Sequence, residues 1–144
     1  MTALSGDRLI KRKLGEGRFN FPVKAGVVIY QGAHVVIDGA VAAPARTATG
    51  LRSVGVAVDR VDNTGGVDGG KKVEVERDMV YCFANSAAAD ALTRADINSA
   101  CYIVDDQTVA KTNGSNTRSV AGRVQDVDDM GVWVYVGEPA TPTA

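Results

Sequence analysis

From Tyr102 to Val136 the chain reads YIVDDQTVAKTNGSNTRSVAGRVQDVDDMGVWVYV, and the fold turns on how its five aspartates are read. Asp105 and Asp106 stand between CYIV and QTVAK, where a short turn would reverse the chain. Asp128, Asp129, Met130 and Gly131 likewise separate RVQDV from VWVYV. Aspartate caps its own turn by accepting a backbone N–H, and glycine tolerates positive φ, so an acid run ending in Gly is hairpin chemistry. The stretch is therefore expected to be two hairpins rather than a catalytic centre.

The same grammar extends outward. Val and Ala dominate the apolar residues and Gly is high at 16, a composition suited to pleated strands and tight turns. Residues 25–44 give two apolar runs split at Gln31-Gly32, with a further turn at Asp38-Gly39. In SVGVAVDRVD, Val54, Val56 and Val58 are expected on one face and Gly55 and Ala57 on the other. In KKVEVERDMVYCFANS, Val73 and Val75 are expected inward, Glu74 and Glu76 outward, with a bulge or tight turn at Arg77-Asp78. One short helix is expected within ADALTRADINSA, where Thr93 and Asp96 have capping-box spacing. About eight or nine strands follow, and with them a mainly β fold, a small compact barrel or sandwich. The expected organisation is an extended basic arm over 1–22, a β-barrel-like domain over 23–137 and a tail over 138–144.

Other chemistries fit less well. Read as a calcium loop, DVDDMG would put Met130 at the fifth position and Gly137 at the twelfth, against the EF-hand pattern. The loop DRVDNTGGVDGG, with Asp59, Asp62, Asn63 and Asp68, also breaks that spacing. Paired carboxylates could hydrolyse a glycosidic bond, but a β protein this rich in acids offers such pairs by default. His34 could pair with Cys82 or Cys101 as a nucleophilic dyad, yet all three lie in strand-like runs, with both cysteines expected inward and unbridged. Structural zinc takes about four ligands, and there is no CxxC to supply them. GxSxG, HExxH and GxxxxGK[ST] are absent. No catalytic residue, metal or cofactor is expected.

Charge is unevenly spread. Residues 1–24 hold six basic and two acidic residues, net +4, and the remainder ten basic and fifteen acidic, net −5. The arm combines Arg8, Lys11, Arg12 and Lys13 with the apolar Leu9, Ile10, Leu14, Phe19 and Phe21, and these nine are the candidate partner-binding residues. Basic residues interleaved with aromatics can track single-stranded nucleic acid, but an acidic body makes a protein partner the better expectation. No apolar run approaches the ~18 residues of a membrane span, and the first residues lack a secretory h-region. Synthesis and assembly in the cytoplasm are expected.

Four segments in order carry a resemblance. KAGVVIYQGAHVVID, GLRSVGVAVDRVDNTGGVDGGKKVEVERDMVYCFANS, ALTRADINSACYIVDDQTVAKT and VAGRVQDVDDMGVWVYV together resemble a family of small bacteriophage capsid cement proteins, over most of residues 20–137. The resemblance implies a small β-barrel on the outer surface of a phage head that binds the major capsid protein and reinforces contacts between its subunits. It implies no catalytic residues; from the charge and apolar pattern, neither nucleic acid nor membrane is expected as a partner. A homotrimer is expected, with a dimer second. The alternative is a small β-barrel enzyme or ligand-binding module built on the aspartate-rich loops.

Overall fold

A computed structural model describes residues 2–3, 5–7, 9 and 17–137. Its fold is mainly β, as expected, and it divides into two β bodies, each with its own hydrophobic core, joined at one strand. The first is a five-stranded antiparallel sheet in the order β1-β7-β5-β3-β4, built from β1 (Gly17–Pro22), β3 (His34–Asp38), β4 (Val41–Pro44), β5 (Arg52–Ala57) and β7 (Lys72–Arg77). A two-stranded ribbon of β2 (Val28–Ile29) and β6 (Val61–Asp62) accompanies it. The second is a closed barrel in the order β10-β8-β12-β11-β9. Its strands are β8 (Met79–Asn85), β9 (Ala100–Ile103), β10 (Thr108–Ala110), β11 (Val120–Asp128) and β12 (Gly131–Val136).

Adjacent residues of β3 explain how the bodies join. Val35 packs with Val23, Ile29, Ala42, Val73 and Val75 in the first sheet's own core. Val36, facing the other way, packs with Ile103, Val109, Val124, Val132 and Val134 of the barrel. Both valines are fully buried. A strand covered on both faces reads as a continuous apolar run, which is what GAHVVI is. Burying a valine side chain contributes about 1.5–3 kcal/mol, so this shared strand binds the two bodies strongly.

The alternation expected for SVGVAVDRVD breaks at a bulge. β3 pairs His34 with Val56 and Val35 with Gly55, but Val36 with Ser53, so Val54 is the extra residue. The bulge puts Val54 against the first core and Val56 against the second, on opposite faces. Gly55 has φ +138, and a Cβ there would lie 2.3 Å from the Glu76 carbonyl oxygen. Only glycine fits, and periodicity could not reveal the slip. The valines of β7 do face inward, with Glu74 and Glu76 half-buried on the other face.

At Arg77-Asp78 the chain passes from the first sheet into the barrel. Asp78 sits at φ +65, and its N–H donates to the Val136 carbonyl at 2.7 Å. The expected turn is thus a crossing point between sheets. The helix expected in ADALTRADINSA is instead two single 3₁₀ turns, Ala88–Asp90 and Arg94–Asp96. The capping box is present: Thr93 N–H donates to Asp96 at 2.8 Å, and Thr93 Oγ1 accepts from Ala95. A longer helix would need an apolar stripe. Here Leu92 is buried while Ile97 stays exposed, and the Asn85 amide holds both backbone groups of Leu92 between the turns.

The last six residues of the expected arm are a strand. Residues 17–22 form β1, in register with β7 from Gly17↔Arg77 to Pro22↔Lys72. Phe19 and Phe21 fall opposite Val75 and Val73, so both rings lie on the first sheet's inner face, and Phe21 packs against the core. They stack with centroids 6.3 Å apart, and the Arg77 guanidinium lies 4.1 Å above Phe19. The Gly and Pro that made this stretch look unstructured only bound the strand.

Candidate functional site

The aspartates were the sequence's best case for chemistry, and the fold assigns most of them to backbone. At the β9–β10 turn the Asp105 carboxylate accepts the Gln107 N–H at 2.9 Å. At the β11–β12 turn Asp128 pairs with Gly131, accepts the Met130 N–H at 2.9 Å and accepts the Trp133 indole N–H at 2.9 Å. Asp126 accepts from Val127 at 2.8 Å. Burial, with the Asp105 charge adding to it, raises the carboxyl of Asp106, whose backbone carbonyl accepts the His34 N–H. These are hairpin turns, as the sequence suggested.

The loop following β6 is stitched down rather than opened toward a ligand. Buried Asn63 donates its amide to the carbonyls of Val23, Lys24 and Val67 at 3.0–3.2 Å. Asp68 accepts the Ala25 N–H at 2.7 Å, and Asp62 accepts from Thr64. That hydrogen bond from Thr64 holds the Asp62 carboxyl below its usual range. Among the described residues no three His, Cys, Asp or Glu side chains gather as a metal ion requires.

His34 and the cysteines do not meet. His34 is buried in β3, where Nε2 shares a 2.6 Å hydrogen bond with Ser53 Oγ and the ring lies 5.0 Å from that of Phe83. Its Nδ1 has no partner. Burial lowers its pKa to about 4, so it is neutral at ordinary pH. Cys101 lies inside the barrel, where burial pushes its thiol up to about 12. Cys82 corrects an expectation: it is exposed on the barrel's outer face, because its neighbour Phe83 takes the inner position. Partial desolvation and the Asp128 charge raise its thiol too. Neither cysteine is a ready thiolate, and neither is bridged.

Of the nine arm residues, Leu9 is fully exposed. Arg8, Ile10, Lys11, Arg12, Lys13 and Leu14 lie outside the described residues. Phe19 and Phe21 belong to β1 and are spent on the fold. Two surface features escaped sequence reasoning. One is an ion cluster in which Asp38 Oδ2 receives Lys24 at 2.8 Å and Arg46 at 2.9 Å, which lowers the Asp38 carboxyl. The other is the apolar outer face of the barrel along β8 and β12. Its signal was available in MVYCFA, which alternates nowhere. Compared with protein-family models, with curated proteins and with solved structures, the chain matches none of them.

Proposed function

We propose that this chain is a virion structural protein that decorates and stabilises a phage head by binding the major capsid protein on its outer surface. One observation carries the reading against an aspartate-based enzyme: both clusters sit at hairpin turns, where Asp105 and Asp128 each accept one of the chain's own N–H groups. The ordered likeness of four segments to phage capsid cement proteins supports it further. So does a compact β body with no three His, Cys, Asp or Glu side chains gathered among its described residues. No nucleic acid or membrane is invoked, and no cofactor or catalytic residue.

Many copies, each binding modestly, reinforce a shell through avidity. The homotrimer remains the first choice of assembly and the dimer the second, since closed symmetry suits a part that bridges neighbours. Arg8, Leu9, Ile10, Lys11, Arg12, Lys13 and Leu14 are assigned to the capsid contact. Phe19 and Phe21 are withdrawn from it. The test is electron microscopy of heads assembled with and without the chain, together with their resistance to heating. Added density on the outer surface and greater heat resistance are expected. Heads that neither bind the chain nor gain stability from it would remove the reading.

A further inference from the structure

Strands of a closed barrel have one inner and one outer face, and the outer one is ordinarily polar where it meets water. On β12 the alternation is clean: Val132, Val134 and Val136 are buried, which turns Trp133 and Tyr135 outward. On β8 the outward residues are Val80, Cys82 and Ala84, all exposed. Register sets Val80 beside Tyr135 and Cys82 beside Trp133, making one continuous apolar face. Met130, 74% exposed, extends it at the hairpin tip. Tryptophan and tyrosine between small apolar residues are the usual anchors of protein–protein interfaces.

Charge says what fits there. Residues 78–137 hold four basic and eight acidic residues, net −4. Asp128 and Asp129 stand at the Met130 end of the face, while along β11 Arg123 lies beside Tyr135 and Asp126, 3.9 Å from Arg94, lies beside Trp133. Residues 17–77 hold eight basic and six acidic residues, net +2. Their cations concentrate where Lys24 and Arg46 share one Asp38 oxygen and Arg52 donates to the Gly39 carbonyl at 2.9 Å. That cluster is three cations to one carboxylate, and its Lys24 and Arg46 side chains are 40% and 47% exposed.

We propose that the outer face of the barrel is a self-association surface that docks the Lys24–Arg46–Arg52 cluster of a second copy, head to tail. Two barrel faces brought together would set acid against acid, whereas barrel to first sheet sets acid against base. A head-to-tail contact is heterologous, and it closes into a ring, of three among others, where the rotation between copies divides a full turn. The inference rests on the assembly part of the proposed function, for which it names the contact surface, and because its test concerns the chain alone it can fail while head decoration stands.

The experiment is sedimentation of the full chain over a concentration series, at low salt and at about 0.5 M salt, where charges are screened over a few ångströms. Self-association is expected at low salt and at least tenfold weaker at high salt. Val80→Glu should weaken it at least tenfold with an unchanged melting temperature. Arg46→Glu with Arg52→Glu should weaken it comparably, and mixing that variant with Asp128→Lys, Asp129→Lys protein should restore a mixed species. A chain that stays monomeric up to about 100 μM, a weak-contact limit of roughly 5–6 kcal/mol, overturns the proposal. So does near-complete Cys82–Cys82 crosslinking under mild oxidant, since it would place two barrel faces together.

Discussion

The first sheet and the barrel solve the same problem differently. The sheet of β1, β7, β5, β3 and β4 is not a closed ladder: a single backbone bridge from Val23 to Ala42, with the Lys24 N–H donating to the Ala42 carbonyl at 2.9 Å, joins its edges. Side chains reinforce it, Asn63 pinning the loop after β6 and Asp38 tying Lys24 and Arg46 together. The barrel finishes itself with backbone, each strand pairing on both sides in a closed circuit. β11 shifts register twice, between Val120 and Gly122 and between Val124 and Asp126, and such bulges bend a strand around a small barrel. The closed ladder leaves the outer face along β8 and β12 largely apolar, and its two aromatic residues keep their polar atoms occupied, Trp133 Nε1 donating to Asp128 at 2.9 Å and Tyr135 OH to Asp78 at 3.2 Å.

The sharpest way to break this contrast is to attack both bodies at backbone. Gly55→Ala in the sheet places a Cβ 2.3 Å from the Glu76 carbonyl, and Gly131→Ala in the barrel places one 2.3 Å from that of Phe83. Each should cost about 3 kcal/mol or more, read as a lowered denaturant midpoint. Two separated transitions, with one body unfolding alone, would show that the cores on the two faces of β3 are not coupled through Val35 and Val36. Next comes the seam. His34 is neutral when folded, with its pKa lowered to about 4 by burial, whereas the unfolded chain binds that proton from about pH 6.5 downward. Its stability contribution is therefore full above about pH 6.5 and is lost as pH falls toward 4, by roughly 3 kcal/mol in total. Denaturation across that window should show the decline, and His34→Gln should flatten it.

Asn63→Ala strips three carbonyls of their donor and should cost about 2 kcal/mol, a loss confined to the sheet's loop in hydrogen exchange. Deleting residues 2–16, which keeps β1 whole, should leave the melting temperature within about 2 °C and yet abolish head binding. Changing Arg8, Lys11, Arg12 and Lys13 to Ala should weaken binding less, and mainly at low salt, because exposed ion pairs contribute only ~0–1 kcal/mol each. The smallest effect belongs to the acids. Asp128→Asn with Asp129→Asn should cost at most about 1 kcal/mol, with no response to calcium or chelator. A large calcium-dependent rise in melting temperature would return those acids to the list of ligands.

What could be read beforehand followed local chemistry. The turns at Asp38-Gly39, Asp105-Asp106 and Asp128–Gly131 were legible because a side chain two residues back or a glycine fixes each of them. The β7 valines were legible because they alternate. Val54 was misplaced because a bulge depends on the partner strand, which no single segment encodes. Cys82 was misplaced because MVYCFA gives no parity, and only pairing with Trp133 shows which side is out. Residues 17–22 were assigned to the arm because GRFNFP holds both Gly and Pro. Its pairing with β7 is a contact across more than fifty residues.

The crossing at Arg77-Asp78 has a topological consequence. Gly17 pairs with Arg77, and a Cβ on Gly137 would lie 2.2 Å from Asp78 Oδ1. Paired Cα atoms are about 5 Å apart and consecutive ones 3.8 Å, so Gly17 and Gly137 lie within about 15 Å of each other. The β body over 17–137 therefore begins and ends at one pole. A peptide of a few glycines could join its two ends into a circle, and new ends could be cut at Asp129-Met130, the exposed tip of β11–β12. Such a permutant would carry any fused cargo at the opposite pole from the native one, turning a fixed part into one whose point of attachment can be chosen.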